Sequence, residues 1–210
     1  MLFLTEYFEN DYFTEEFIKN GGFKYLEQII INNIGNIRTY GLKDISKLLN
    51  FLAIYDYFSK NLDFLQNLLE IALEHDYESI QLTFYALDIL IELIGKDEKK
   101  IMLIVEIGEK FAKKTNTKLF QKIVNNFNEK NLELDLKLKS IIFINTIINF
   151  CSPKKISQIL NELINAGILE LLLKMKKQEK NKFNNYNYNQ IEIDFQQQID
   201  YFLTKANEVL

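Results

Sequence analysis

The stretch from Asn131 to Lys177, NLELDLKLKSIIFINTIINFCSPKKISQILNELINAGILELLLKMKK, decides the fold, because it reads as helix, break, helix, break, helix. Leu132, Leu134, Leu136 and Leu138 alternate with Glu133, Asp135, Lys137 and Lys139, which taken alone is a strand pattern. No other segment offers a strand partner, and a lone strand leaves its backbone groups unpaired, so helix is expected here as well. Ser152 is placed to cap the second helix, and Pro153 suits its first position, where a missing N–H costs nothing. Gly167, after Asn165 and Ala166, closes that helix as a left-handed terminal residue would.

Outward from this stretch the same plan recurs. Long apolar runs at helical spacing, with seven glycines and one proline as punctuation, predict an all-α chain. Breaks are expected near Gly21-Gly22, Gly35 to Gly41, Gly95, Thr115 to Thr117, Ser152-Pro153 and Gly167. Thr14-Glu15-Glu16 reads as a capped helix start, and Phe23 to Ile31 resumes after the glycine pair. Asp44 to Tyr57 carries the apolar stripe Ile45, Leu48, Leu49, Leu52 and Ala53, and Leu62 to Leu73 carries another. From Glu78 to Ile94 the polar residues Glu78, Gln81, Tyr85, Asp88 and Glu92 step by three and four, so one narrow face is wet and the rest is buried. Lys96 to Lys114 and Lys118 to Phe127 complete the set.

These helices show a loose internal repeat. Leu48, Leu49 and Leu52 recur as Ile89, Leu90 and Leu93, at the period of armadillo and HEAT arrays. Leu87, Leu90 and Ile91 recur as Ile144, Ile147 and Ile148, and the same shift lays Asp88 and Glu92 on Asn145 and Asn149. An armadillo-repeat-like right-handed helical solenoid is therefore expected, with an irregular helical bundle as the alternative. In a solenoid, corresponding helices stand side by side. Gln81, Tyr85, Asp88 and Glu92 would then join Asn145, Thr146 and Asn149 in one groove for a partner helix.

Composition narrows the function classes. At 210 residues and 48% hydrophobic content the chain can bury a sizeable core. One cysteine, Cys151, forbids an internal disulfide, and one histidine, His75, leaves too few ligands for a Cys/His zinc site; a reducing compartment is the natural reading. Neither residue has a catalytic context: Cys151 lies on an apolar helix face and His75 in a turn beside Asp76. No phosphate-binding GxxxxGK[ST] loop occurs. No enzyme, cofactor or metal is expected. A net charge of −4 with a single arginine, Arg38, and lysines interspersed with acids argues against nucleic acid. MLFLTEYFEND does not read as a signal peptide, and the longest uncharged run, Ser140 to Pro153, is short of the roughly 18 residues that span a membrane.

The domain plan is a helical-repeat domain over 1–177, an Asn-rich flexible loop over 178–190 (QEKNKFNNYNYNQ) and an extra helix over 191–210. In that last helix Ile191, Phe195, Ile199, Phe202, Ala206 and Val209 step by four and three. Such a seam packs back on the preceding repeat or zips with a second copy, so Phe195, Ile199, Phe202 and Ala206 form a candidate dimer seam.

The residues of the opening stretch resemble the amino-terminal armadillo region of diaphanous-related formins, the diaphanous inhibitory domain. NLELDLKLKSIIFINTIINFCSP is similar to that family's asparagine-leucine-glutamate start and its "FIN-A-L-I" helix, and ISQILNELINAGILELLLKMKK to the helix that follows. A loop and a segment with Phe195, Gln198, Ile199 and Phe202 come next, as in the family. Upstream, FIKNGGFKYLEQII, from Phe17 to Ile30, resembles the glycine-pair entry into the first repeat. Two features depart: the ISQILNEL segment lacks the family's arginines, and the place of an Asn-Asn pair at the end of an early repeat helix is given to Tyr55-Asp56.

The resemblance implies a non-catalytic regulatory module that binds a Rho-family GTPase, with Tyr55 and Asp56 as its contact. It also implies an amphipathic autoregulatory helix, from the same or a partner chain, in the groove at Asn145, Thr146 and Asn149. The setting would be the cytoplasm, with the actin cytoskeleton. The entry from Phe13 to Gly21 also resembles the engulfment and cell-motility group, whose armadillo-like segment is the alternative. A structural protein that dimerises through 191–210 is the reading from a different class.

Overall fold

The computed structural model describes residues 4–73, 80–96, 98–182 and 189–209, and among these every regular element is a helix. The chain divides into two compact units, Met1–Lys96 and Asp97–Leu210, so a boundary falls inside the 1–177 span and the last helix belongs to the second unit. No single helix among the described residues is long and apolar enough to cross a membrane. His75 lies outside the described residues.

The first unit holds α1 (Leu4–Tyr7), α2 (Asp11–Lys19), α3 (Gly22–Asn32), α4 (Gly35–Leu48), α5 (Leu52–Lys60), α6 (Leu62–Leu73) and α7 (Ile80–Lys96). Helix α2 starts earlier than Thr14: Asn10 is its N-cap and accepts from Phe13 N at 3.1 Å. Thr14 is instead fully buried, with its hydroxyl donating to Phe8 O and Asn10 O. Gly21, at φ 76°, turns the chain into α3. The expected break from Gly35 to Gly41 is helical, since α4 starts at Gly35. Gly41 lies inside it and lets α3 approach, because a Cβ there would stand 2.8 Å from Ile30. The real break comes at Leu49–Phe51, within the span read from the sequence as one helix over 44–57. It lets the chain turn so that Ile54 and Phe58 are buried. Helix α7 packs on both α4 and α6, which explains its narrow wet face.

Polar groups tie this unit together. Tyr57 donates to Glu27, and Asn61 Nδ2 donates to Glu27 Oε1 at 2.8 Å, linking α3 to α5. Burial, together with the Glu27 carboxylate, pushes the Tyr57 hydroxyl up to about 12. Thr5 donates to Asp44 Oδ1 at 2.6 Å, holding α1 to α4, while Asp44 Oδ2 is buried without a partner. Desolvation raises the Asp44 pKa, against the Thr5 hydrogen bond and nearby Lys43, which lower it. A carboxyl with a raised folded pKa costs nothing below its unfolded value. It destabilises increasingly as pH rises from there through the folded value. Asp44→Asn keeps the acceptor for Thr5 and removes the charge. Its melting temperature is expected to exceed that of the parent at pH 7, with the gain shrinking as pH falls toward about 4 in a thermal scan series.

The second unit holds α8 (Glu98–Thr115), α9 (Gln121–Asn125), α10 (Leu134–Phe150), α11 (Pro153–Asn165), α12 (Ile168–Lys182) and α13 (Gln190–Val209). Helix α10 confirms the helical reading of the Leu132–Leu138 alternation from Leu134 onward. Only five residues of the 118–127 span are α-helical. Phe120 precedes them at φ 53°, an unfavourable conformation for a side chain with a Cβ. Its ring is buried edge-on to Phe143, at 5.5 Å, and fits against Gly108, where a Cβ would stand 3.0 Å away. Pro153 opens α11 after Ser152, whose carbonyl, rather than its hydroxyl, accepts from Lys155 and Ile156. Gly167, at φ 94°, ends that region as expected. Helix α12 runs on to Lys182, so Gln178–Lys182 of the expected loop is helical; residues 183–188 lie outside the described set.

Candidate interaction surfaces

Helix α10 is apolar nearly all round: Ile141, Phe143, Ile144, Ile147 and Ile148 are buried. A helix of that kind needs neighbours on several sides. Helix α13 is its principal partner. Phe195, Ile199, Phe202 and Ala206 are each at most 2% exposed, so the candidate dimer seam is occupied within the single chain. Lys176 of α12 pairs with Asp200 on the outer side of α13.

The three polar residues of α10 have distinct environments. Asn145 is buried, and its Nδ2 donates to Gln198 O at 2.9 Å and to Gln198 Oε1 at 2.8 Å; its Oδ1 has no partner. Thr146 is half-buried and donates to Ile142 O, the back-bond typical of threonine within a helix. Asn149 is exposed and accepts from the Tyr201 hydroxyl at 3.0 Å. All three line a cavity of about 450 Å3 along α10 and α13, with Ile142 and Phe150 as its apolar part and Gln197, Gln198 and Tyr201 as its far wall. The sequence placed the α10 side of this cavity. It missed Gln197, Gln198 and Tyr201, which lie off the hydrophobic seam and carry no periodic signal.

Gln81, Tyr85, Asp88 and Glu92 lie on α7 of the first unit. Gln81 and Glu92 are exposed, Tyr85 and Asp88 half-buried, and burial beside Asp88 raises the Tyr85 pKa. They form one stripe along that helix, as their spacing requires.

Tyr55 and Asp56 sit in the middle of α5 rather than at a helix end, and Tyr55 is half-buried. An asparagine pair does close an early helix, at Asn32-Asn33. Asn32 is the last residue of α3, and Asn33 caps it with Nδ2 donating to Ile29 O at 2.9 Å. Around this end Ile31, Ile34 and Ile37 are all exposed, Ile34 by 86%. Single exposed hydrophobes are ordinary, but three within seven residues at one helix junction form a patch. The pair directly follows the helix expected over Phe23 to Ile31, and α4 begins at Gly35, nine residues before the Asp44 start that the apolar stripe suggests.

Among the described residues no group of His, Cys, Asp and Glu is arranged to hold a metal, and Cys151 is buried. Helices packed on helices, with an open polar cavity on one unit and an apolar junction on the other, define a binding module of the all-α, armadillo-like class. The family model of the FHOD1/3 FH3 domain matches residues 35–171, about two thirds of the chain. The chain belongs to that family, the armadillo-like diaphanous-inhibitory domains of formins, a regulatory and non-catalytic family. No curated protein matches the chain. The matched span opens at the first residue of α4 and closes within α12, leaving α1 to α3 and α13 outside it.

Proposed function

We propose that this chain is the regulatory module of a formin-like protein, holding an amphipathic autoregulatory helix and a Rho-family GTPase to control actin filament assembly in the cytoplasm. The observation that carries this reading is the cavity along α10 and α13. It combines amides and hydroxyls with Ile142 and Phe150, the mixture that seats an amphipathic helix. Thr146 and Asn149 are the accessible polar positions there, whereas Asn145 is committed to holding α13. For the GTPase, the α3–α4 junction with Ile31, Ile34 and Ile37 offers apolar surface that half-buried Tyr55 does not.

The test is capture of Rho-family GTPases by the purified chain in both nucleotide states. GTP-dependent retention is expected, weakened about tenfold or more by Ile34→Asp, the effect of losing one interface anchor. Retention equal in the two states, or untouched by Ile34→Asp, rejects the GTPase arm. For the helix arm, Thr146→Asp should abolish binding of an amphipathic helical segment taken from the carboxy-terminal region of a formin, with the circular dichroism of the chain unchanged. Undiminished binding rejects that arm.

A further inference from the structure

The charge of this chain is unevenly placed. Residues 1–20 carry Glu6, Glu9, Asp11, Glu15 and Glu16 against Lys19 alone, and so hold the whole formal charge of −4; the remaining 24 acids and 24 bases cancel. Three of these acids lie on α2, which at about 1.5 Å per residue is only roughly 14 Å long, and Glu6 and Glu9 immediately precede it. Glu16 is paired with Lys19 at 3.0 Å, whereas Glu6, Glu9, Asp11 and Glu15 are exposed. This field is confined to one corner of the first unit, and it lies outside the span that matches the formin family.

The same corner holds a cleft of about 370 Å3 between α2 and α3, lined by Phe13, Glu16, Phe17, Asn20, Gly22 and Tyr25. That volume falls in the range of about 300–1,000 Å3 typical of ligand clefts. Phe13 and Phe17 stack with centroids 6.1 Å apart, and Phe17 meets Phe8 edge-on at 5.1 Å, so the aromatic wall is braced from behind. Gly22 allows the close approach of the two helices, since a Cβ there would stand 2.5 Å from the Phe17 ring. Phe13 and Phe17 nonetheless remain half-buried, and Tyr12 and Tyr25 are exposed by 77% and 66%.

We propose that the α2–α3 hairpin is a docking site for a lysine- and arginine-rich segment of a partner protein that carries one aromatic or aliphatic anchor. The anchor enters the cleft between Phe13, Phe17 and Tyr25. The flanking cations meet the exposed face of Tyr25 at the cleft, which attracts them through its ring quadrupole. They are drawn there by the field of Glu6, Glu9, Asp11 and Glu15, although Asp11 and Glu15 stand on the opposite side of α2 from the cleft. A second copy of this chain would bring an equal negative field to the site, and nucleic acid or anionic lipid would meet the same repulsion.

The experiment is a titration of the full chain, followed by amide chemical shifts, with the peptide Lys-Lys-Phe-Lys-Arg-Leu-Lys, acetylated and amidated. Controls replace its Phe and Leu with Ser, or its cations with Glu. Shifts are expected at Phe13, Phe17, Gly22 and Tyr25, with neither control binding measurably. Asp11→Lys combined with Glu15→Lys should weaken binding about tenfold, since each reversal replaces an attraction with a repulsion. Raising salt from about 50 to about 300 mM should weaken it similarly. Should the double variant fold poorly, Tyr25→Ser, at an exposed position, should still weaken binding with helicity intact. The proposal is overturned if the serine control binds equally, if shifts fall elsewhere, or if neither variant changes affinity. It is also overturned if self-association of the chain, or vesicles with anionic lipid, produce the hairpin shifts instead.

Discussion

Phe202→Ala is expected to destabilise the chain by about 3–5 kcal/mol, the range for truncating a fully buried phenylalanine to alanine. Phe202 has no solvent exposure, and it belongs to the seam of α13 that lies along α10 with Phe195, Ile199 and Ala206. Deleting the ring removes apolar contacts and leaves a cavity where α13 packs on α10. Chemical denaturation measures the loss directly. The same experiment discriminates the two uses of the seam. If α13 packs within the chain, the unfolding midpoint of parent and variant is independent of protein concentration. Were the seam a dimer contact, the midpoint would rise with concentration and the variant would lose that dependence.

Helix identity in this chain was legible because the stripes of apolar residues are long and regular. The seam of α13 and the wet face of α7 could be placed residue by residue. Helix boundaries were less legible where glycine was taken as punctuation. Gly41 sits inside α4 because Ile30 of α3 comes too close for a Cβ, a packing reason that a single sequence does not display. Conversely, the break at Leu49–Phe51 contains no glycine or proline, and burial of Ile54 and Phe58 overrides a continuous helical pattern. The candidate site was legible on one side only. Asn145, Thr146 and Asn149 stood out as polar positions on an apolar helix, but their partners come from about fifty residues further on, and local sequence holds no record of that pairing.

The pairing gives Asn145 and Asn149 opposite sensitivities to the same substitution. Asn145→Asp removes both hydrogen bonds that Nδ2 donates to Gln198 and places a carboxylate beside two oxygen acceptors. The Gln198 amide can turn to donate to it, but the Gln198 backbone carbonyl cannot, so one repulsive contact remains. A buried charge left without a full set of partners costs several kcal/mol, and a loss of roughly 2–4 kcal/mol is expected. The new carboxyl would have a raised pKa in the folded chain. The loss should therefore be small in acid and grow as pH rises through that value. Asn149→Asp, at an exposed position, keeps an acceptor for the Tyr201 hydroxyl and is expected to change stability by no more than about 0.5 kcal/mol. Denaturation of the two variants between about pH 4 and pH 8 tests the contrast. A pH-independent loss at Asn145, or an equal loss at both positions, would show that Asn145 is not the buried tie between α10 and α13.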